Sequence, residues 1–361
     1  MPEIKTRKPI PEPFFALSPE RFLRQARAQA RQLHVTNGNV AADVLSASGI
    51  PGKVSITADL LHEGPTPAGL PPERWRKVRA RYLAESGYGG YEECLSSLTE
   101  WDRALDEHRS YDEVVLWFEH DLFDQLLLIR TLDTLAARDL GFTRLSLICI
   151  GEHPEVHPFH GLGQLNPEQM AALLPLRQPV SKDQTVLARH AWRAFCSSEP
   201  IGIEVAVRRD TSSLPFLAGA LHRHLEEFPA VRGGLSRTER QALSALESAG
   251  GALSFEELFQ ANQGMEESPF LGDTSFLHRV QELSGDPRRL VRLERGAGST
   301  PRDLRVTLTA TGQDVLDGRD DWVRIHGIER WLGGVHLHGP EAQWRWDPER
   351  DRLVPGALVV E

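Results

Sequence analysis

The chain has 361 residues, 40% of them apolar and 25% charged, with a formal net charge of −10. This is an ordinary globular composition with length for about two domains, and no apolar run is long enough to cross a bilayer. The acidic balance disfavours a general nucleic-acid coat but leaves room for a local basic patch, and three scattered cysteines (Cys94, Cys149, Cys196) without a CxxC pair give neither a disulfide framework nor a structural zinc site.

Residues 1–32 read as a Pro-rich leader and an Arg-rich helix over Leu17–Gln32; the opening MPEIKTRKPIPEPFF lacks a signal-type apolar segment, so cytoplasmic residence is expected. Leu33–Val35 predicts a strand, Thr36-Asn37-Gly38-Asn39 a turn, and Val40–Ala47 a helix stopped by Gly49. A second strand over Lys53–Ala58 ends at Asp59, and helices follow over Glu73–Leu83 and Tyr91–His108. Val114–Phe118 and Leu145–Ile150 read as buried strands flanking a helix over Asp124–Ala137, a βαβ crossover that implies a parallel sheet. Beyond them come a His-rich loop (Gly151–Gln164), helices over Pro167–Leu174 and Thr185–Cys196, and a largely helical stretch over Pro200–Phe228. Residues 33–231 thus predict a Rossmann-like α/β domain with a helical extension.

Arg232-Gly233-Gly234 marks a boundary, and Ser236 with Glu239 three residues on forms a capping box. Helices over Arg237–Glu247, Phe255–Asn262 and Thr274–Leu283, then strands Leu290–Leu293 and Leu304–Leu308 around GAGST, predict a winged-helix (α+β) domain over 232–318. Its helix TSFLHRVQELS offers Ser275, His278, Arg279 and Gln281 to a groove, and the wing carries Arg288, Arg289, Arg292, Arg295, Arg302 and Arg305, a grip for DNA phosphates. Acidic residues nevertheless outnumber basic ones across the region, so a packing or protein-interaction role is the alternative. Residues 319–361 predict a tryptophan-rich hairpin, with Trp331, Trp344 and Trp346 packing that module.

Taken together, LHVTNGNVAADVL, DLLHEGP, LWFEHDLFDQL, FHGLGQL, LPFLAGALHRHLEE and GLSRTER, spread over Leu33–Leu316, resemble a bacterial family catalogued as a domain of unknown function (DUF1835). The resemblance implies a family pattern of motifs and no activity.

Four groups of residues carry candidate chemistry. Thr36, Asn37, Gly38 and Asn39 lie between a strand and a helix, where free backbone N–H groups suit an anion; a plain turn capped by Asn39 is the alternative. Asp59, His62 and Glu63 follow the second strand, a position for ribose hydroxyls, a metal or a simple turn cap. Glu119, His120, Asp121, Asp124 and Gln125 crowd the end of the third strand, and such carboxylates could hold a hard cation such as Mg²⁺ or act as general acid and base. Helix capping and the macrodipole explain some acidic residues there without function. Of His153, His157 and His160, the last is the candidate acid, base or ligand, with Gln164 as a substrate partner; Arg223, Arg79 and Arg177 are anion holders or surface charges.

The leading expectation is an enzyme acting on a phosphate-bearing or nucleotide-like small molecule, with Glu119, Asp121 and His160 catalytic and hydrolysis not distinguished from transfer. The rival is a non-catalytic DNA-binding regulator that senses a ligand in its α/β domain.

Overall fold

A computed structural model of the protein describes residues 31–286, 288–295 and 303–356. The leader, most of the helix expected over Leu17–Gln32, and Arg302 in the wing lie outside them. That helix cannot reach Gln32, which already begins a strand.

The first unit is mixed α/β around a five-stranded, mostly parallel sheet ordered β2-β1-β3-β4-β5. Its strands are β1 (Gln32–Thr36), β2 (Lys53–Ile56), β3 (Glu113–Glu119), β4 (Arg144–Ile150) and the two-residue β5 (Gln178–Pro179). β1 to β4 run parallel, and β5 is antiparallel to β4. Every residue of β3 is buried, because helices cover both faces and leave the strand no solvent side.

The faces divide by alternation. Val115 and Trp117 pack with Ala41 and Leu45 of α1 (Asn39–Ala47) and with Met170 and Leu173 of α5 (Pro167–Leu173). Val114, Leu116 and Phe118 pack on the other side with Leu126 and Ile129 of α4 (Leu122–Ala136), and with Phe195 of α6 (Lys182–Phe195). Two helices, α2 (Pro72–Glu85) and α3 (Tyr91–Asp106), sit between β2 and β3. The stretch expected to be largely helical resolves into α7 (Ile201–Val207) and α8 (Leu217–Leu225), separated by a turn at Thr211–Leu214.

The second unit holds α9 (Arg237–Ala249), α10 (Phe255–Gln263), α11 (Asp273–Leu283) and α12 (Ala310–Leu316), with a sheet ordered β6-β8-β7. Its strands are β6 (Leu253–Ser254), β7 (Val291–Arg295) and β8 (Leu304–Leu308). Ser236 and Glu239 form the expected capping box, and Leu243, Leu258, Phe276 and Val306 share a separate core.

The tail differs from expectation in two ways. After α13 (Trp322–His326) it forms two hairpins, β9 (Ile328–Leu332) with β10 (Val335–Gly339), and β11 (Trp344–Asp347) with β12 (Arg352–Pro355). Trp346, Leu332, Leu337 and Leu353 pack into the core of the α/β unit rather than onto the second unit. A hairpin cannot bury both its faces by itself, and the apolar flank left by α7 and α8 is the surface these residues meet.

The units are bound by polar contacts at α11. Ser275 donates to Glu63 at 2.7 Å, His278 lies edge-on to Tyr88, and Arg279 is attracted by Glu63 and Glu227 of the first unit. Three of the four side chains expected to read a groove are therefore turned inward. No described helix is long and apolar enough to cross a membrane.

Candidate functional site: three carboxylates at the reversal of strand order

Strand order reverses between β1 and β3, whose carboxyl ends point to the same rim, so chain leaving each strand diverges and opens a crevice. Asn37 follows β1 and Glu119 ends β3. The Asn37 side-chain amide donates from Nδ2 to Glu119 Oε1 at 3.0 Å and to Asp124 Oδ2 at 2.7 Å. Asp121 caps α4, its Oδ1 accepting the Asp124 backbone N–H at 3.0 Å. Asp124 Oδ1 in turn accepts the backbone N–H of Glu119 at 2.8 Å.

Glu119, Asp121 and Asp124 are all buried, and each offers an oxygen within 4.8 Å of the others. Among the described residues no lysine or arginine pairs with any of them. Burial raises Glu119 to about 7 against the pull of bonds from Leu162 and Asn37. Burial, then the charge of Glu119, raises Asp121 to about 8, and the same two causes push Asp124 well above the usual range. Capping accounts for one oxygen of Asp121. It does not account for three charges gathered where water is scarce and no cation answers them.

Gly161 makes the arrangement possible from the opposite side. A Cβ at that position would stand 2.4 Å from Glu119 Oε2, and the next residue, Leu162, donates its backbone N–H to Glu119 Oε1 at 2.6 Å. Glu119 Oε2 accepts no hydrogen bond among the described residues, which leaves it for a ligand. Gln125 donates from Nε2 to the Glu119 carbonyl at 2.6 Å, while its buried Oε1 has no partner.

Asp121 and His120 open onto a cleft of about 300 Å³ shared with Phe216, His222, Arg223 and Arg237. Burial and then the nearby His160 lower the pKa of His120, so its imidazole is neutral at neutral pH. Arg223 lines this cleft but is held by Glu227 at 2.7 Å and Glu266 at 2.8 Å. On the other side, α1 starts at Asn39 behind Gly38 with no side-chain cap, so its first N–H groups stay available. Thr36 is buried and donates to Asn37 Oδ1 at 3.3 Å.

Other sequence candidates lie elsewhere or are engaged. Asp59 forms a fully buried pair with Arg79 at 2.7 Å, a private bond rather than a place at the rim. Glu63 accepts from Tyr88 and Ser275 at the junction of the two units. His62 is buried with both ring nitrogens unpartnered, edge-on to Phe123 and Phe270. His160 is exposed, and its backbone N–H donates to Gln164 Oε1 at 2.6 Å, which ties Gln164 to its own loop. Arg177 holds Glu113 at 2.9 Å at the far end of β3.

Sequence reasoning missed Gly161, Leu162, Phe216, Arg237 and Cys149. Gly161 stood in the quoted FHGLGQL stretch, but its closeness to Glu119 across more than forty residues leaves no local signal. Burial lifts the Cys149 thiol to about 12, so it is no nucleophile at neutral pH. No family model matches the chain, and no curated protein matches it.

Proposed function

We propose that Glu119, Asp121 and Asp124 hold a divalent cation of the Mg²⁺ or Mn²⁺ kind, and that the protein is an enzyme acting through it on a phosphate-bearing small molecule. The observation that carries this reading is three buried carboxylates in mutual reach with no basic partner among the described residues. Such a group is stable either with protons added or with a hard cation, and oxygen-only donors suit Mg²⁺, which keeps waters and takes substrate phosphate oxygens as further ligands. The cation would polarise a phosphoryl oxygen. The uncapped start of α1 beside Asn37 supports anion placement next to it, and neutral His120 on the cleft wall is placed to accept a proton.

The same reading takes the first unit as Rossmann-like, since the order 2-1-3-4-5 is that of doubly wound sheets that bind ligand between β1 and β3. The second unit is read as a winged helix, from the three helices α9 to α11, its β6-β8-β7 sheet and its β7–β8 hairpin. The motif order resembling DUF1835 fits this pairing and supplies no reaction. DNA binding by α11 has less support, because Ser275, His278 and Arg279 face the α/β unit.

Calorimetric titration of the chelator-treated protein with Mn²⁺ tests the proposal, with release of phosphate from a panel of phosphate esters as the second readout. One site is expected, lost in Glu119→Gln and Asp121→Asn. A wild-type protein that takes up no Mn²⁺ would falsify it.

A further inference from the structure

Next to the carboxylates lies a second, narrower cavity of about 180 Å³, lined mainly by apolar groups. Gln125 and Cys149 border it, and Pro215 and Phe216 border both it and the 300 Å³ cleft at Asp121. Phe216 is thus the partition between the two. It can lie there because Gly151, just past β4, has no side chain: a Cβ would meet Phe216 Cε1 at 2.9 Å and His120 Cβ at 3.2 Å. The slot alone is smaller than the ~300–1,000 Å³ of a whole ligand site, whereas slot and cleft together fall inside that range. The slot therefore suits one end of a ligand whose other end sits at the carboxylates.

The chemistry of the slot says which end. The Leu145 carbonyl accepts from Val180 on the β5 side, so strand alternation turns the backbone groups of Leu147 and Cys149 to that same edge. β5 pairs with Ser146 and Leu147 and goes no further, which leaves the Cys149 backbone N–H and C=O at an uncovered strand edge along the slot. Gln125, 1% exposed, brings a side-chain oxygen with no partner. An edge that offers a donor and acceptors beside an aromatic wall asks for a flat ring with donors and acceptors on its rim. An alkyl or acyl chain would leave all of those groups unsatisfied.

We propose that this slot receives a nucleobase, its rim read by Cys149 backbone and Gln125 Oε1 and its face packed by Phe216, so that the ligand of the carboxylate site is a nucleotide. This rests on the cation reading above, with the phosphate placed at the cleft.

The test is calorimetry on Mn²⁺-saturated full-length protein with AMP, GMP, CMP, UMP and ribose 5-phosphate. At least one nucleotide is expected to bind about tenfold or more tighter than ribose 5-phosphate, the size of one stacked and hydrogen-bonded base. Phe216→Ala should erase that gap without changing the affinity for Mn²⁺, and Gln125→Leu should erase it as well. Should either variant fail to fold, the free nucleosides decide on the wild type: binding of one supports the slot, binding of none overturns it. Equal affinity of all four nucleotides and ribose 5-phosphate, with Mn²⁺ still bound, overturns the base slot alone. Absence of Mn²⁺ binding overturns the cation reading and this inference with it.

Discussion

Glu113 and Glu119 begin and end the same buried strand, yet their environments drive them in opposite directions. Burial opposes ionisation of Glu113, but Arg177, Ser146 and Gln32 outweigh it and hold the carboxyl at about 2. Glu119 meets the same burial with only Asn37 and the Leu162 N–H in return, and rises to about 7. One end of β3 is a closed structural ion pair. The other is a group of acids that no lysine or arginine pairs with among the described residues.

That asymmetry makes stability depend on pH in a definite sense. Folded carboxyls raised from their ordinary 4.5 and 3.8 to about 7 and about 8 bind protons that the unfolded chain has already lost. Without metal, the stability these two carboxyls contribute is fully present below the ordinary values and is lost as pH rises toward 8, by on the order of 3 kcal/mol for Glu119 alone. Thermal melts in chelator should show that fall as the difference between the wild type and Glu119→Gln, because the buried imidazoles of His62 and His224 act in the opposite sense over the same range. Melts in Mn²⁺ should flatten or reverse it, because the cation binds the deprotonated form. A chelated wild type that follows the same pH course as Glu119→Gln between pH 5 and 8 contradicts the premise.

Gly161→Ala should damage the site while sparing the fold. The added methyl meets Glu119 Oε2 at 2.4 Å, so the loop or the carboxylate must shift. A cost of ~1–3 kcal/mol in chemical denaturation is expected from such overpacking, together with weaker Mn²⁺ binding in the same sample. Unchanged Mn²⁺ affinity would show that Gly161 does not shape the cluster.

Asn37→Ala removes the amide that holds Glu119 and Asp124 together. Its loss should push the pKa of both carboxyls further up, since a donor to the ionised form disappears. The pH at which Mn²⁺ affinity reaches half its maximum should then move upward. A midpoint that stays put or moves down argues against the bridge.

Breaking the Asp59–Arg79 pair should be purely structural. Arg79→Met strands a buried carboxylate and is expected to cost ~3–5 kcal/mol. Combining it with Asp59→Asn should return much of that loss, as read from urea midpoints. Mn²⁺ affinity should not change in either protein once folded.

Trp346→Ala tests the placement of the tail. With Trp346 set in the core of the α/β unit beside His222, the substitution should destabilise that unit by ~3–5 kcal/mol. Hydrogen exchange should speed up in β3 and α4. Exchange confined to the second unit would place Trp346 where the sequence alone had suggested.

Much of the architecture could be read along the chain because its causes are local. The apolar run Val114–Phe118 marked a central strand, and the Ser236–Glu239 spacing marked a helix start. The dense acidic group at the end of β3 was visible for the same reason, since its members lie within seven residues. Side chains whose partners lie far off were not legible: Asp59 read as a rim residue until Arg79 closed on it, and the tryptophan tail read as part of the second unit until Trp346 entered the first.

The sequence by itself determined most of the strand and helix order and the gathering of Glu119, Asp121 and Asp124 in one segment, because alternation, capping and turn chemistry act over a few residues. Only the tertiary structure decided which of those acids go without a counter-ion. That depends on which arginines reach which carboxylates across tens of residues, and packing directs Arg79 to Asp59 and Arg177 to Glu113, and, among the described residues, no lysine or arginine into a pair with Glu119, Asp121 or Asp124.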